Sequence, residues 1–245
     1  MSEPAPLRLR RVLVALDLSA HGAAALEAAA ALAARLDAEL AGLYIEDEDL
    51  LRFAAHPAAR VLREGAAAAE ALTREALEAE LALLAREARQ ALEQAARRAG
   101  SRHAFAVARD RVASALVRAA GEAGLLVLGR SGHAPRPART LGSTARSVLA
   151  TAPGAVLLLH AGERVEGPVL AVDDGSPAAG RALALAQALA APGVPGVLRG
   201  GVLDAARMAA EVQRRGAALL VLPAGEGAQD EALLAALPCA VLRVR

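Results

Sequence analysis

Gly129, Gly132 and the run Gly142-Ser143-Thr144 are the residues whose types and spacing suit chemistry. At glycines the backbone turns tightly and its N–H groups can come close to an anion. Small hydroxyls at a helix start add donors where the helix dipole already favours negative charge. The pattern therefore suits a phosphate. Gly, Ser and Thr are also the usual residues of an ordinary βα turn, so local spacing leaves both readings open. The flanks make the motif more specific: the apolar run Leu125-Leu-Val-Leu128 precedes it, and a helical pattern from Gly142 to Ala150 follows.

The elements that must position this loop alternate along the first half. Strand patterns are expected at residues 11–17, 39–45, 103–107, 125–128 and 155–160, and helical patterns at 23–36, 112–123 and 142–150. Alternating β and α units predict a parallel sheet covered by helices on both faces, with any ligand beyond the carboxyl ends of the strands. Asp17, Ile45 and the Gly129 loop all fall at those ends, so one crevice can hold all three. Between Glu46 and Gly100 lies extra chain. It begins with the acidic run Glu46-Asp-Glu-Asp49, read as a solvated strand end or a divalent-cation site. From Val61 to Ala99 a helical pattern puts Leu77, Leu81, Leu84, Ala88, Leu92 and Ala95 on one stripe. That stripe suits either a helix packed on its own sheet or a dimerising face.

The second half repeats the first. Asp174 and Ser176 follow Asp17 and Ser19 at an offset of 157 residues, Leu219–Leu222 follows Leu125–Leu128 at 94, and Pro238–Leu242 follows Pro153–Leu157 at 85. The falling offsets locate two deletions. About 63 residues are gone between the first and fourth strands, which would remove the second strand and the long helical region, and 9 more from the glycine loop. The boundaries read as a first domain over 1–161, a linker over 162–167 and a shortened second domain over 168–245. In place of Gly129-Arg-Ser-Gly132 the second half has Pro223-Ala-Gly-Glu226. A carboxylate there repels polyphosphate, whereas Arg130 is expected to attract it. Nucleotide binding is accordingly assigned to the first half alone, and Asp174-Gly-Ser176 to a structural turn.

With an Asp ending the first strand and a Gly-x2-Gly-x9-Gly-Ser loop after the fourth, the chain resembles the universal stress protein family in a tandem form. The resemblance implies two Rossmann-like α/β units, each a parallel sheet flanked by helices, the second truncated. It implies ATP or a related adenine nucleotide as ligand, with Mg²⁺ as an optional companion. By match to the family motif, the backbone of Ala15 and Leu16 with Asp17 would sit beside adenine and ribose, and Ile45 would contact the base. Leu128, Gly129, Ser131 and Gly132 would line ribose and phosphates, while Gly142, Ser143 and Thr144 would close over the phosphate tail. It further implies an intramolecular pseudo-dimer of the two halves, with the fifth strands as natural pairing edges, and allows a homodimer. A stress-response or signalling role follows, with a nucleotide-free interaction module of the same fold as the alternative.

The sequence departs from that pattern between Gly132 and Gly142. Pro135 and Pro137 stiffen the stretch, and Arg136 and Arg139 either clamp a phosphate or are merely solvated.

Composition narrows the remaining classes. All 28 basic residues are Arg, because the chain contains no Lys. A P-loop NTPase, a protein kinase and a Schiff-base enzyme each need a lysine, so none is available. A net charge of +1 with one Tyr, two Phe and no Trp speaks against nucleic acid as a partner. No apolar run is long enough for a membrane span or a secretory core, so a cytoplasmic protein is expected. The lone Cys239 cannot form a disulfide within the chain and reads as a small buried hydrophobe. No nucleophile elbow or metal-ligand spacing is present, and His133 beside the loop could act as a base but reads rather as a polar surface residue. The related α-hydrolase-like enzymes are disfavoured because Leu18-Ser-Ala-His21 stands where their Ser-Gly-Gly phosphate loop would lie. Catalysis beyond weak ATP hydrolysis is therefore not expected, and no catalytic residue or metal ligand is assigned.

Overall fold

A computed structural model describes residues 9–62, 68–130, 141–190, 195–199, 205–224, 234 and 237–245. In chain order the elements are β1 (Arg11–Leu16), α1 (Ala20–Arg35), β2 (Glu39–Asp47), α2 (Glu48–Ala54), β3 (Arg60–Val61), β4 (Glu70–Ala71), α3 (Arg74–Ala99), β5 (His103–Asp110), α4 (Val112–Glu122), β6 (Leu125–Gly129), α5 (Ser143–Thr151) and β7 (Ala155–Leu159). After the linker come β8 (Val169–Asp173), α6 (Pro177–Leu189), β9 (Gly196–Arg199), α7 (Ala205–Arg215), β10 (Leu219–Pro223) and β11 (Ala240–Val244).

Nine strands form one sheet in the order β5-β2-β1-β6-β7-β11-β10-β8-β9. Every neighbouring pair is parallel except β7 and β11, which meet antiparallel. At that seam Leu157 faces Leu242, 85 residues later in the chain.

The length and apolar content allow one large core or two modest ones, with two the expected number. Alternate strand residues point to opposite faces, so the apolar strands feed two layers, each continuous across both halves. On one face Val12, Val14, Leu125, Leu157, Leu219 and Leu242 pack under α1, α3 and α6. On the other Leu13, Leu126, Val156, Leu158, Leu220 and Val241 pack under α4, α5 and α7.

The segment after β2 departs from expectation. The helical pattern read from Val61 begins only at Arg74, where the Thr73 hydroxyl accepts the Ala76 N–H at 3.2 Å as N-cap. The acidic run closes β2 and starts α2, with the Asp47 carboxylate accepting the Asp49 N–H at 3.0 Å. Leu77 and Leu81 of α3 pack on Leu51 and Ala54 of α2, while Ala88, Leu92 and Ala95 join the layer of α1. The apolar stripe of α3 is thus spent on its own chain.

The deletion of about 63 residues is expected to remove the second strand, and that expectation is corrected. The strand after α6 is retained, as the four-residue β9 beside β8, just as β2 lies beside β1. Among the described residues the second half has no counterpart of α3 or of β5. No described helix is long and apolar enough to cross a membrane.

Candidate functional site

β1 lies between β2, which follows it in the chain, and β6, which comes later, with α1 on one face of the sheet and α5 on the other. Helices leaving neighbouring strands toward opposite faces open a crevice at their carboxyl ends. A cavity of about 400 Å³ occupies this place, open to solvent on one side. Of the residues expected at the site, Ala15, Leu16, Asp17, Ile45, Leu128, Gly129, Gly142, Ser143 and Thr144 all line it. Ser131 and Gly132 lie outside the described residues, as do His133, Arg136 and Arg139.

The floor of the cavity is built by a tight corner. The Asp17 carboxylate accepts the Ser19 N–H at 3.0 Å and the Ser19 hydroxyl at 2.8 Å, and Ser19 Oγ in turn accepts the Gly22 N–H at 2.9 Å as N-cap of α1. Between them Leu18 takes a positive φ of 59°, a conformation disfavoured for a branched side chain. The first turn of α1 then passes so close to β6 that a Cβ on Gly129 would lie 2.8 Å from His21 Cβ and 3.0 Å from its carbonyl carbon. Gly22 is equally constrained, since a Cβ there would lie 2.0 Å from the Asp17 carboxylate.

The opposite wall is the start of α5. Gly142 is its N-cap, with no side-chain capping hydrogen bond, and the Gly142 N–H donates to the Arg130 carbonyl at 2.8 Å. The leading amides of Ser143 and Thr144 therefore lack intrahelical acceptors and carry the positive end of the helix dipole. Arg130 also lines the cavity, and Leu43, Tyr44, Leu84, Val112, Leu116 and Ala145, which sequence reasoning missed, complete the lining. Val112 and Leu116, one helical turn apart, carried a usable signal, as did Leu43 beside Ile45. Burial, then Glu46 and Glu80, raise the Tyr44 phenol above its ordinary range and keep it neutral.

Arg130 is the main correction at the site. The guanidinium expected to attract phosphate is fully buried and turned away, into the C-terminal half. It donates to the carbonyls of Leu234 and Cys239 and, at 3.2 Å, to that of Leu237. Buried peptide oxygens compensate the desolvated charge there, so the side chain is not free to meet a ligand.

Beside it His160 Nε2 lies 3.3 Å from Arg130 Nη1, and because Arg can only donate, this nitrogen accepts. Burial first, then Arg130 and His21, push the His160 pKa from 6.5 to about 4. The ring is neutral when folded, whereas the unfolded chain takes up its proton near pH 6.5. This contribution is complete above pH 6.5 and is lost as pH falls toward 4. Allowing for partial solvent screening, the loss is about 2 kcal/mol. Urea denaturation at pH 7 and pH 5 is expected to give a smaller difference in His160→Gln than in the wild type; an equal difference refutes the assignment.

Cys239 is buried, and burial pushes its thiol up to about 12, so it is inert. Among the described residues no cluster of three or more His, Cys, Asp or Glu could hold a metal ion.

Fold and crevice together define a Rossmann-like α/β protein with a cleft at its switch point. The family model described as "Universal stress protein family" matches residues 8–160, and the chain belongs to this family. A comparison with curated proteins found no match. Among solved structures, a universal stress protein from Archaeoglobus fulgidus DSM 4304 is similar over 98% of this chain and 99% of its own, at 14% identity and a TM-score of 0.72. A functionally unknown protein from Pseudomonas aeruginosa PAO1 is similar over 96% of this chain and 92% of its own, at 15% identity and a TM-score of 0.60. A universal stress protein in complex with cAMP is similar over 63% of this chain and 99% of its own, at 22% identity and a TM-score of 0.44.

Proposed function

We propose that this chain is an adenine-nucleotide-binding universal stress protein that acts as a stress-response or signalling factor through its N-terminal half. One observation carries the reading: the cleft between β1 and β6 combines the Asp17 carboxylate, a close backbone approach at Gly129 and the uncapped start of α5. Each part suits a different part of the ligand. A carboxylate accepts from ribose hydroxyls or holds Mg²⁺ through water, apolar walls take a base, and free helix amides receive phosphate oxygens. With Arg130 withdrawn, the phosphates would rely on the helix start and on whatever Arg136 and Arg139 supply.

We read residues 168–245 as a shortened second unit of the same type. The Asp174-Gly175-Ser176 corner supports this, because Gly175 has a φ of 77° where Leu18 has 59° at the 157-residue offset. The pairing of Leu157 with Leu242 supports it independently.

Isothermal titration with ATP, with and without Mg²⁺, tests the nucleotide reading. The wild type is expected to bind with a dissociation constant on the order of micromolar. Gly142→Arg, at an ordinary φ of −64° that any residue adopts, is expected to fold and to abolish the heat by filling the cleft. A flat titration with the wild type would favour the nucleotide-free interaction module.

A further inference from the structure

Helix α5 supplies the phosphate end of the cleft, and the C-terminal half holds it at both ends. At its start, Arg130 works as a three-way tie. Its N–H donates to the Leu159 carbonyl of β7 at 2.7 Å, and its carbonyl accepts the N-cap N–H of Gly142 at 2.8 Å. Its guanidinium is clasped by the carbonyls of Leu234, Leu237 and Cys239. At the far end, Arg243 donates to the Leu149 carbonyl at 2.8 Å and Arg245 donates to the carbonyls of Leu149 and Ala150. Those are the last-turn carbonyls a helix cannot satisfy by itself, and two cations there also complement its dipole. All three arginines reach across the β7–β11 seam.

We propose that the C-terminal half is a coupling element for the nucleotide cleft: Arg130, Arg243 and Arg245 fasten α5 to strand β11 and the turn before it, so that occupancy of the cleft and the order of β11 depend on each other. The coupling rests on the nucleotide reading for its ligand, though not for its mechanics. These residues are positioning residues, because the guanidinium groups are bonded to peptide carbonyls of the C-terminal half or of the last turn of α5. Releasing them lets the uncapped start of α5 shift against Asp17 and Gly129, and a displacement of under an ångström weakens converging hydrogen bonds steeply. By linkage, whatever the C-terminal half does to nucleotide affinity, nucleotide must do to the C-terminal half.

Hydrogen exchange followed by mass spectrometry on the full chain, with and without ATP, decides the matter. ATP is expected to slow exchange at residues 239–244 of the wild type, although β11 does not line the cleft. In Arg130→Met and in the double variant Arg243→Ala/Arg245→Ala, ATP affinity is expected to fall about tenfold, and protection at 239–244 to be reduced or lost. Without nucleotide, either variant should speed exchange in both 141–150 and 239–244. Exchange changes confined to one side of the seam, or equal ATP protection in wild type and variants, would overturn the coupling. If the wild type shows no heat with ATP, the nucleotide reading falls, and the nucleotide-free comparison still decides the mechanics. Should Arg130→Met not fold, the double variant at the far end of α5 carries the test.

Discussion

Gly129→Ala is expected to weaken ATP binding by at least about tenfold while lowering stability by about 2 kcal/mol, because the added methyl has nowhere to go. Its nearest neighbours would be His21 Cβ at 2.8 Å and the His21 carbonyl carbon and oxygen at 3.0 and 3.1 Å. These atoms belong to the first turn of α1 and cannot swing aside as a side-chain tip would. Relief requires α1 to draw back from β6, carrying with it the Ser19 cap and the Asp17 carboxylate bonded to it. One methyl therefore reaches both the packing and the floor of the cleft. Gly180→Ala makes the control. Gly180 lies within α6 with nothing within 4 Å of an added Cβ, so Ala there should raise stability by about 0.5–1 kcal/mol through helix propensity alone. Thermal denaturation and ATP titration of both variants check the pair. Retained affinity in Gly129→Ala would mean that the close approach of α1 does not shape the cleft.

How much of this was legible in the sequence depended on whether a local pattern determined the outcome. Apolar runs such as Val12–Leu16 and Leu125–Leu128, separated by helical patterns, foretell a parallel sheet. Carboxyl-end geometry then brings Asp17, Ile45 and Gly129 to one cavity without further information. The antiparallel meeting of Leu157 with Leu242 is a contact between distant strands that no local pattern encodes. The excursion after β2 was less legible. α2 has seven residues, and the β3–β4 hairpin two residues on each strand, too few for any periodicity to register. β9 was missed for a related reason: Gly196-Val-Leu-Arg199 follows Pro192, Gly193 and Pro195, a composition that reads as a turn.

Arg130 failed differently. Its backbone lies where the motif puts it, but the direction of a long side chain is set by what packs around it. Three carbonyls from more than one hundred residues later in the chain outcompete a ligand for its donors. The course of the two apolar layers is nonlocal in the same way. Alternation along each strand assigns residues to faces, and only the joining of β7 to β11 makes those faces run through both halves.

That joining leads to the largest stability effect. Leu242→Pro is expected to lower stability by about 4 kcal/mol, more than Leu242→Ala, which should cost about 3 kcal/mol through its cavity. Leu242 is fully buried, paired with Leu157 of β7 on one side and Val221 of β10 on the other. In a strand with neighbours on both sides every interior N–H is needed by one ladder or the other. Proline removes a donor and introduces a ring clash where solvent cannot substitute. Wild-type urea unfolding, followed by far-ultraviolet circular dichroism and by hydrogen exchange, should be one transition, because both apolar layers cross the seam and neither half can lose its strands alone. In Leu242→Pro the ladder is cut where the halves meet, so exchange should rise in β7 and β10 together while β1 and β2, three and four strands beyond β11, remain the last to open. If Pro and Ala at this position proved equally mild, β11 would not be carrying the sheet across the seam.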